Sequence, residues 1–248
     1  MRGQALASAR AALQHKPEED NATLLHDSLD GVPDSLRTWW QSADPAALEK
    51  ATVRSGRCDV LAHVTRLLHS SKTVLDLGCG AGLLAREAGR RDIVGVDMAP
   101  AMVRTAQQWM DIVLLDNILE HYPTERPDIV VLCNVLEPYS TDMRRLLFRH
   151  VFEFLKPGGR VIVVTAIGGL GNIGSKTETG LDLVFPTVTD IVVEPNAIEE
   201  ELMLEGLDRF SAELLETRTV NHAAAMPGEA PRTEKQSYAV IVGRKPVA

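Results

Sequence analysis

Short apolar runs alternate along the middle of the chain with segments in which apolar residues recur at helical spacing. Because strands that alternate with helices form parallel sheets, this pattern predicts an α/β fold. The continuous run Ile129-Val130-Val131-Leu132 predicts a strand that is buried on both faces. Right-handed crossovers then give a doubly wound, Rossmann-like sheet. The predicted strands are Thr73–Leu77, Ile93–Asp97, Ile112–Leu115, Asp128–Asn134 and Arg160–Thr165, and the predicted helices are about Leu83–Arg91, Pro100–Met110 and Thr141–Leu155.

The two ends of the chain depart from this alternation. The first 70 residues have a helical and loop-rich pattern, in which Cys58–Leu68 carries apolar residues at helical spacing. Beyond the fifth strand, Pro195–Leu207 predicts a helix, and Phe210–Val220 and Ser237–Gly243 predict two last strands. The short link between those two strands is compatible with a hairpin and hence with an antiparallel edge. We therefore expect a helical N-terminal segment over 1–70 and an α/β domain over 71–248.

Acidic residues lie at the ends of the first three predicted strands. Asp76 belongs to the run Val74–Gly82, in which glycines follow the strand at every second position. Glycine permits positive φ and lets a ligand approach the backbone, and the first amides of the following helix can meet negative charge. Asp97 and Asp116 end the next two strands, where open α/β sheets bind ligands. One such acid is as readily a helix cap, but three in succession favour a ligand site.

Five segments carry a family resemblance: Val74–Gly82, Val94–Ala99, Asp116-Asn117, Asp128–Val131 and Leu155–Arg160. In this order they resemble the class I S-adenosylmethionine-dependent methyltransferases. Their small-molecule branch is the most similar, and it includes quinone-biosynthesis and bacterial natural-product enzymes. The resemblance implies a seven-stranded, mostly parallel sheet with an antiparallel last strand, S-adenosylmethionine as cofactor, and methyl transfer to an O, C or N atom of a small molecule.

The resemblance also implies which residues bind the cofactor. Asp97 would accept hydrogen bonds from the ribose hydroxyls, as the acid at this place does in dinucleotide folds. Asp116 would bind the adenine amino group, and Met98 would pack on the adenine ring. Asp76 and the glycine loop would hold the methionine part, which Asn134 would approach by its backbone. The expected set is Asp76, Gly78, Cys79, Gly80, Gly82, Asp97, Met98, Asp116, Asn117 and Asn134.

Catalytic candidates follow the fourth and sixth strands. The acceptor atom must be held in line with the methyl group, and a general base is needed only if the acceptor has to lose a proton. Glu137 and Tyr139 are placed to orient a substrate, although Tyr139 is as readily a packing residue. His222 would reach the ligand face after a parallel sixth strand, and a histidine without a role in a surface loop is the alternative.

Several further residues are expected at the periphery of the site. His121 and His150 are expected on a loop and on a helix surface. Trp39-Trp40 lies in the N-terminal segment, for which the resemblance implies a role as a lid and substrate segment. Gly169–Gly174 matches the dinucleotide motif Gly-x-Gly-x-x-Gly, but no apolar helix follows it, so we expect a loop over the active site.

The composition of the chain limits the kinds of partner and the cellular setting that we expect. A net charge of −8 argues against nucleic acid, which basic proteins bind, and Asn134–Tyr139 lacks the Asn/Asp-Pro-Pro-aromatic motif of amino-methylating nucleic-acid enzymes. No apolar run approaches the roughly 20 residues of a membrane span, and no secretory signal is evident. Three scattered cysteines predict neither disulfides nor a metal site and suit a reduced, cytoplasmic setting.

Three questions stay open in the sequence. The N-terminal segment could cap its own site or that of a second subunit, so a homodimer is compatible with it. The cofactor could serve a non-methylating reaction, as in a cyclase or pericyclic catalyst. The protein could also be a regulatory protein that binds the cofactor without catalysis, but the intact glycine motif and Asp97 argue against this.

Overall fold

A computed structural model describes residues 42, 44–54, 57–68, 73–137, 139–167, 194–221 and 232–247. The strands in these ranges are β1 (Val74–Leu77), β2 (Val94–Asp97), β3 (Ile112–Leu115), β4 (Ile129–Cys133), β5 (Arg160–Ile167), β6 (Asp208–Asn221) and β7 (Arg232–Arg244). The helices are α1 (Pro45–Arg54), α2 (Arg57–Leu67), α3 (Leu83–Ala88), α4 (Pro100–Ala106), α5 (Thr141–Phe154) and α6 (Pro195–Leu204).

All seven strands belong to one sheet, in the order β3-β2-β1-β4-β5-β7-β6. Strands β1 to β5 pair in parallel, and β7 pairs antiparallel with both β5 and β6. The predicted α/β fold and its antiparallel last strand are confirmed. The antiparallel strand, however, is not the edge: β7 lies between β5 and β6, and β6 ends the sheet. In this position residues 237–244 of β7 have strand neighbours on both sides, which supplies partners for their backbone groups.

The core lies on both faces of the parallel strands. Residues 129–132 of β4 are fully buried, as their continuous apolar run predicts. Helix α5 covers the sheet with one apolar face, on which Leu147, Phe148 and Val151 are also fully buried. The parallel arrangement brings the carboxyl ends of β1, β2, β3 and β4 to the same edge of the sheet, where doubly wound folds bind ligands.

Two helices of the N-terminal segment pack on this core. Val60, Val64 and Leu68, in and just after α2, belong to one cluster with buried residues of β1 and β4. Leu48 of α1 packs on a second, smaller cluster that includes Ala81 of the glycine loop. Helix α1 therefore lies against the glycine loop, and α2 packs on the core of the parallel strands.

No helix among the described residues is long and apolar enough to cross a membrane. Within the same ranges, no three His, Cys, Asp or Glu side chains group as a metal site would require.

Candidate active site

The glycine loop after β1 has a backbone that few other residues could adopt. Gly78 has a φ of 75°, in the left-handed region, and a Cβ there would lie 2.6 Å from Cγ2 of Val135. The amides of Gly78 and Cys79 both donate to the carbonyl of Val96, at 2.8 and 3.0 Å, which fixes the loop against β2. The loop continues into α3 through Gly82, which caps that helix in the left-handed conformation.

Asp76 is a buried carboxyl group with an unsatisfied oxygen. Its side chain is 2% exposed, and among the described residues Oδ1 has no hydrogen-bond partner. Burial, and secondly the negative charge of Asp97, raises the pKa of Asp76 from 3.8 to about 7. A buried carboxylate of this kind lacks a cationic donor, and an ammonium group on a ligand would supply one.

Asp97 is held by backbone amides on both of its oxygens. Oδ2 accepts from the amide of Gly80 and Oδ1 from the amide of Ala99, both at 2.8 Å. Burial raises the pKa of Asp97, and the hydrogen bonds from these amides and from that of Met98 oppose this effect. The carboxylate is thereby oriented, and it retains acceptor capacity for a further donor because each of its oxygens can accept more than one hydrogen bond.

Asp116 and Asn117 follow β3 as predicted, in a turn that includes a histidine. Oδ1 of Asp116 accepts from the amide of Asn117, and Oδ2 lies 2.9 Å from Nδ1 of His121. His121 lies on a loop as expected but is 5% exposed, and the expectation that His150 lies on a helix surface is wrong, since it is 7% exposed. Nε2 of His150 lies 2.8 Å from the carbonyl of His121, so the two rings are buried by packing α5 against this turn.

The turn after β4 holds a chain of polar side chains. Asn134 has a φ of 54° and is the one described non-glycine residue with positive φ. Its Oδ1 accepts from Nε of Arg57 at 2.8 Å, and its Nδ2 donates to Oε1 of Glu137 at 2.9 Å. Arg57 begins α2, so a helix of the N-terminal segment contributes a cation to the end of β4.

Glu137 and Tyr139 are both buried. Glu137 is 5% exposed, and its Oε1 also accepts from Oγ1 of Thr165 and the amide of Ala166, each at 3.3 Å. Its Oε2 is buried without a hydrogen-bond partner among the described residues. Burial, and secondly the charge of Asp97, raises the pKa of the Tyr139 hydroxyl, which therefore stays neutral over the physiological range.

The expected residues are not all used through their side chains. Cys79 turns its side chain into the core: a Cβ on Gly95 would lie 2.8 Å from its Sγ, so only the backbone of Cys79 faces the loop. Met98 is half-buried beside Asp97. His222, Trp39-Trp40 and the Gly169–Gly174 motif lie outside the described residues.

Sequence reasoning did not find Arg57 or Thr165. Arg57 begins the helix before β1 and so lies outside the glycine motif, and Thr165 is one more residue of a buried strand. No local signal marks either residue, because their role depends on the pairing of β4 with β5 and on the packing of α2.

Residues 74–159 match a family model described as a methyltransferase domain. The matched segment is similar to methyltransferase domains and contains strands β1 to β4. It contains Asp76, Asp97, Asp116, Asn134 and Glu137, whereas Arg57 and Thr165 lie outside it.

Solved structures share the fold of this chain. Human N-acetylserotonin methyltransferase in complex with S-adenosylmethionine aligns over 82% of this chain with 22% identity and a TM-score of 0.55, and this chain spans 55% of that protein's length. A possible histamine N-methyltransferase from Thermotoga maritima aligns over 80% of this chain and 94% of its own, with 16% identity and a TM-score of 0.58.

The N-methyltransferase NodS from Bradyrhizobium japonicum, in complex with S-adenosyl-L-homocysteine, covers 77% of this chain and 86% of its own, with 17% identity and a TM-score of 0.51. No curated protein sequence matches the chain. At these identities the structural likenesses establish a common fold and no shared chemistry.

Proposed function

We propose that this protein binds S-adenosylmethionine and transfers its methyl group to a small-molecule acceptor. The observation that carries the proposal is the buried, unpaired Oδ1 of Asp76 beside a glycine loop in the left-handed conformation. The methyltransferase-domain match supports it. Two of the similar structures contain S-adenosylmethionine or S-adenosyl-L-homocysteine, which supports the choice of cofactor.

The residues present fit this cofactor. The ammonium group of the methionine part would satisfy Asp76, whose charge is otherwise buried without a partner. Asp97, already oriented by two amides, would accept from the ribose hydroxyls. Asp116 and Asn117 would border the adenine, with Met98 packed on its face. Gly78, Gly80 and Gly82 keep the backbone clear of side chains, and the backbone of Cys79 and Asn134 would line the methionine end.

When bound, S-adenosylmethionine supplies a methyl group that is already activated by the positive charge on sulfur. The protein therefore has to hold the acceptor in line and keep water out. Glu137 and Tyr139 follow β4 and are the described candidates for contact with the acceptor. His222 remains a candidate from the sequence, in line with the parallel direction of β6.

Several finer expectations remain part of this proposal. Residues 1–70 are proposed to form the lid and substrate segment, with 71–248 as the cofactor-binding domain. We also propose a biosynthetic role and a homodimer, which rest on the resemblance. A cytoplasmic location and the absence of a nucleic-acid partner are proposed from the composition and the charge.

Calorimetric titration with S-adenosylmethionine and S-adenosyl-L-homocysteine tests the proposed cofactor. We expect both to bind in the micromolar range, and Asp97→Ala to weaken both. Asp111→Ala is the matched control, because Asp111 is an exposed acid paired with Arg91 away from the loop. Absence of binding to the wild type would refute the proposal, and wild-type affinity in Asp97→Ala would refute the assignment of the site.

A further inference from the structure

The polar chain after β4 has a fixed direction of hydrogen bonding. An arginine side chain can only donate, so Oδ1 of Asn134 must be the acceptor from Arg57. The amide group of Asn134 then has only its Nδ2 left toward Glu137, and Nδ2 can only donate. The contact with Arg57 thus fixes the orientation of the Asn134 side-chain amide, and this orientation in turn makes Oε1 of Glu137 an acceptor.

The two carboxyl oxygens of Glu137 therefore differ. Oε1 receives hydrogen bonds from Asn134, Thr165 and the amide of Ala166. Oε2 has no partner among the described residues and is buried. Leaving a buried carboxyl oxygen unpaired is unfavourable. Because folding has already removed water from Oε2, a ligand that donates a hydrogen bond to it does not have to desolvate this oxygen again.

Glu137, Asp76 and Arg57 act on the same small region. Burial raises the pKa of the Cys133 thiol to about 12; the charge of Arg57 opposes this, and the charges of Asp76 and Glu137 add to it. Cys133 ends β4, so all three charged groups lie close to that strand end. Asp97 lies close enough to Asp76 to raise its pKa as well.

The balance of charge in this region is negative. Of the described residues, Asp76, Asp97 and Glu137 contribute carboxylates, and Arg57 contributes the opposing cation. S-adenosylmethionine carries two positive groups and one carboxylate, and its ammonium group at Asp76 would favour the ionised acid. One negative charge is then left over in the group, and with Asp76 satisfied, Oε2 of Glu137 is its buried oxygen among the described residues that still lacks a donor. A neutral alcohol could donate to Oε2 but would leave this charge uncompensated.

We infer that the acceptor is a protonated amine, whose ammonium group binds to Oε2 of Glu137. The inference rests on the proposed function, since it concerns the acceptor side of the same site. In the step that follows, the ammonium nitrogen gives one proton to Oε2 of Glu137. The lone pair that this frees forms the bond from nitrogen to the methyl carbon, and the bond from that carbon to sulfur breaks with its electron pair remaining on sulfur. The proton on Glu137 returns to solvent after the methylated ammonium product leaves.

The first test is binding rather than turnover. The protein saturated with S-adenosyl-L-homocysteine is titrated with methylamine, butylamine, benzylamine and 2-phenylethylamine, each against the alcohol with the same carbon skeleton. We expect at least one amine to bind about 10- to 100-fold more tightly than its alcohol, the difference that a hydrogen bond to a charged group makes. Equal affinities within every pair, tighter binding of the alcohols, or binding of neither series overturns the inference.

A variant connects the preference to Glu137. Glu137→Gln should lose most of the amine preference while it binds S-adenosyl-L-homocysteine as the wild type does, which also shows that it is folded. Glu87→Gln, at an exposed carboxylate on α3, should keep the preference. Failure of the wild type to bind S-adenosyl-L-homocysteine overturns the proposed function. Normal binding of it, with an amine preference that survives in Glu137→Gln, overturns the inference alone. If that variant does not fold, the wild-type comparison of amines with alcohols still decides.

Discussion

Asp76→Asn removes a charge that the fold buries, and its effects on stability and on binding should have opposite signs. Asp76 is buried, and its pKa is raised from 3.8 to about 7, chiefly by burial and secondly by Asp97. Each pKa unit corresponds to 1.36 kcal/mol, so ionising this group costs the folded protein about 4 kcal/mol at pH 8. An amide of the same shape does not carry that cost.

The pH dependence identifies the cause. Because the pKa of Asp76 is higher in the folded than in the unfolded protein, the folded state binds more protons between about pH 4 and pH 7. This group therefore lowers stability as the pH rises through that window. Without cofactor, Asp76→Asn should be more stable than the wild type by about 4 kcal/mol at pH 8, but by only about 1 to 2 kcal/mol at pH 5.

The same substitution should weaken cofactor binding. Removing one partner of a buried charge pair costs about 2 to 5 kcal/mol, which is about 30-fold or more in affinity. Urea denaturation at pH 5 and pH 8, and calorimetry with S-adenosyl-L-homocysteine at pH 8, measure the two effects. Asp111→Asn, at an exposed acid, is the control. A stability difference that does not change with pH, or unchanged affinity in Asp76→Asn, would refute the reasoning.

Three other predictions concern the loop, its acid and the helices behind it. The affinity of the wild type for S-adenosyl-L-homocysteine should rise by up to about tenfold per pH unit from pH 5 to pH 7, as Asp76 ionises, and a flat profile would contradict this. Gly78→Ala should abolish cofactor binding because of its positive φ and close neighbour, whereas Gly89→Ala, with a φ of 60° but no atom within 4 Å of its Cβ, should cost only about 1 kcal/mol of stability and leave binding intact. Arg144→Met should lower the free energy of unfolding by about 3 to 5 kcal/mol, because it leaves Glu201 buried and unpaired. In chemical denaturation, the added change Glu201→Leu should restore most of this stability. A double variant no more stable than Arg144→Met alone would contradict this prediction.

The sequence by itself determined the strands, the acids at their carboxyl ends and the glycine loop. These features are local: an apolar run fixes a buried strand, and glycines at alternate positions permit the left-handed backbone observed at Gly78 and Gly82. Once the strands are known to be parallel, their ends have to meet, so Asp76 and Asp97 could be assigned to one site before any contact was seen.

Only the tertiary structure decided which partner each buried polar group has. The insertion of β7 between β5 and β6, the burial of His121 by α5 and the contact of Arg57 with Asn134 join residues that are far apart in the chain. No periodicity encodes such contacts, because they arise from helices and strands packing together and not from the conformation of either alone. For the same reason the sequence predicts Glu137 as a candidate to orient a substrate, but only the fold shows one of its oxygens saturated and the other without a donor.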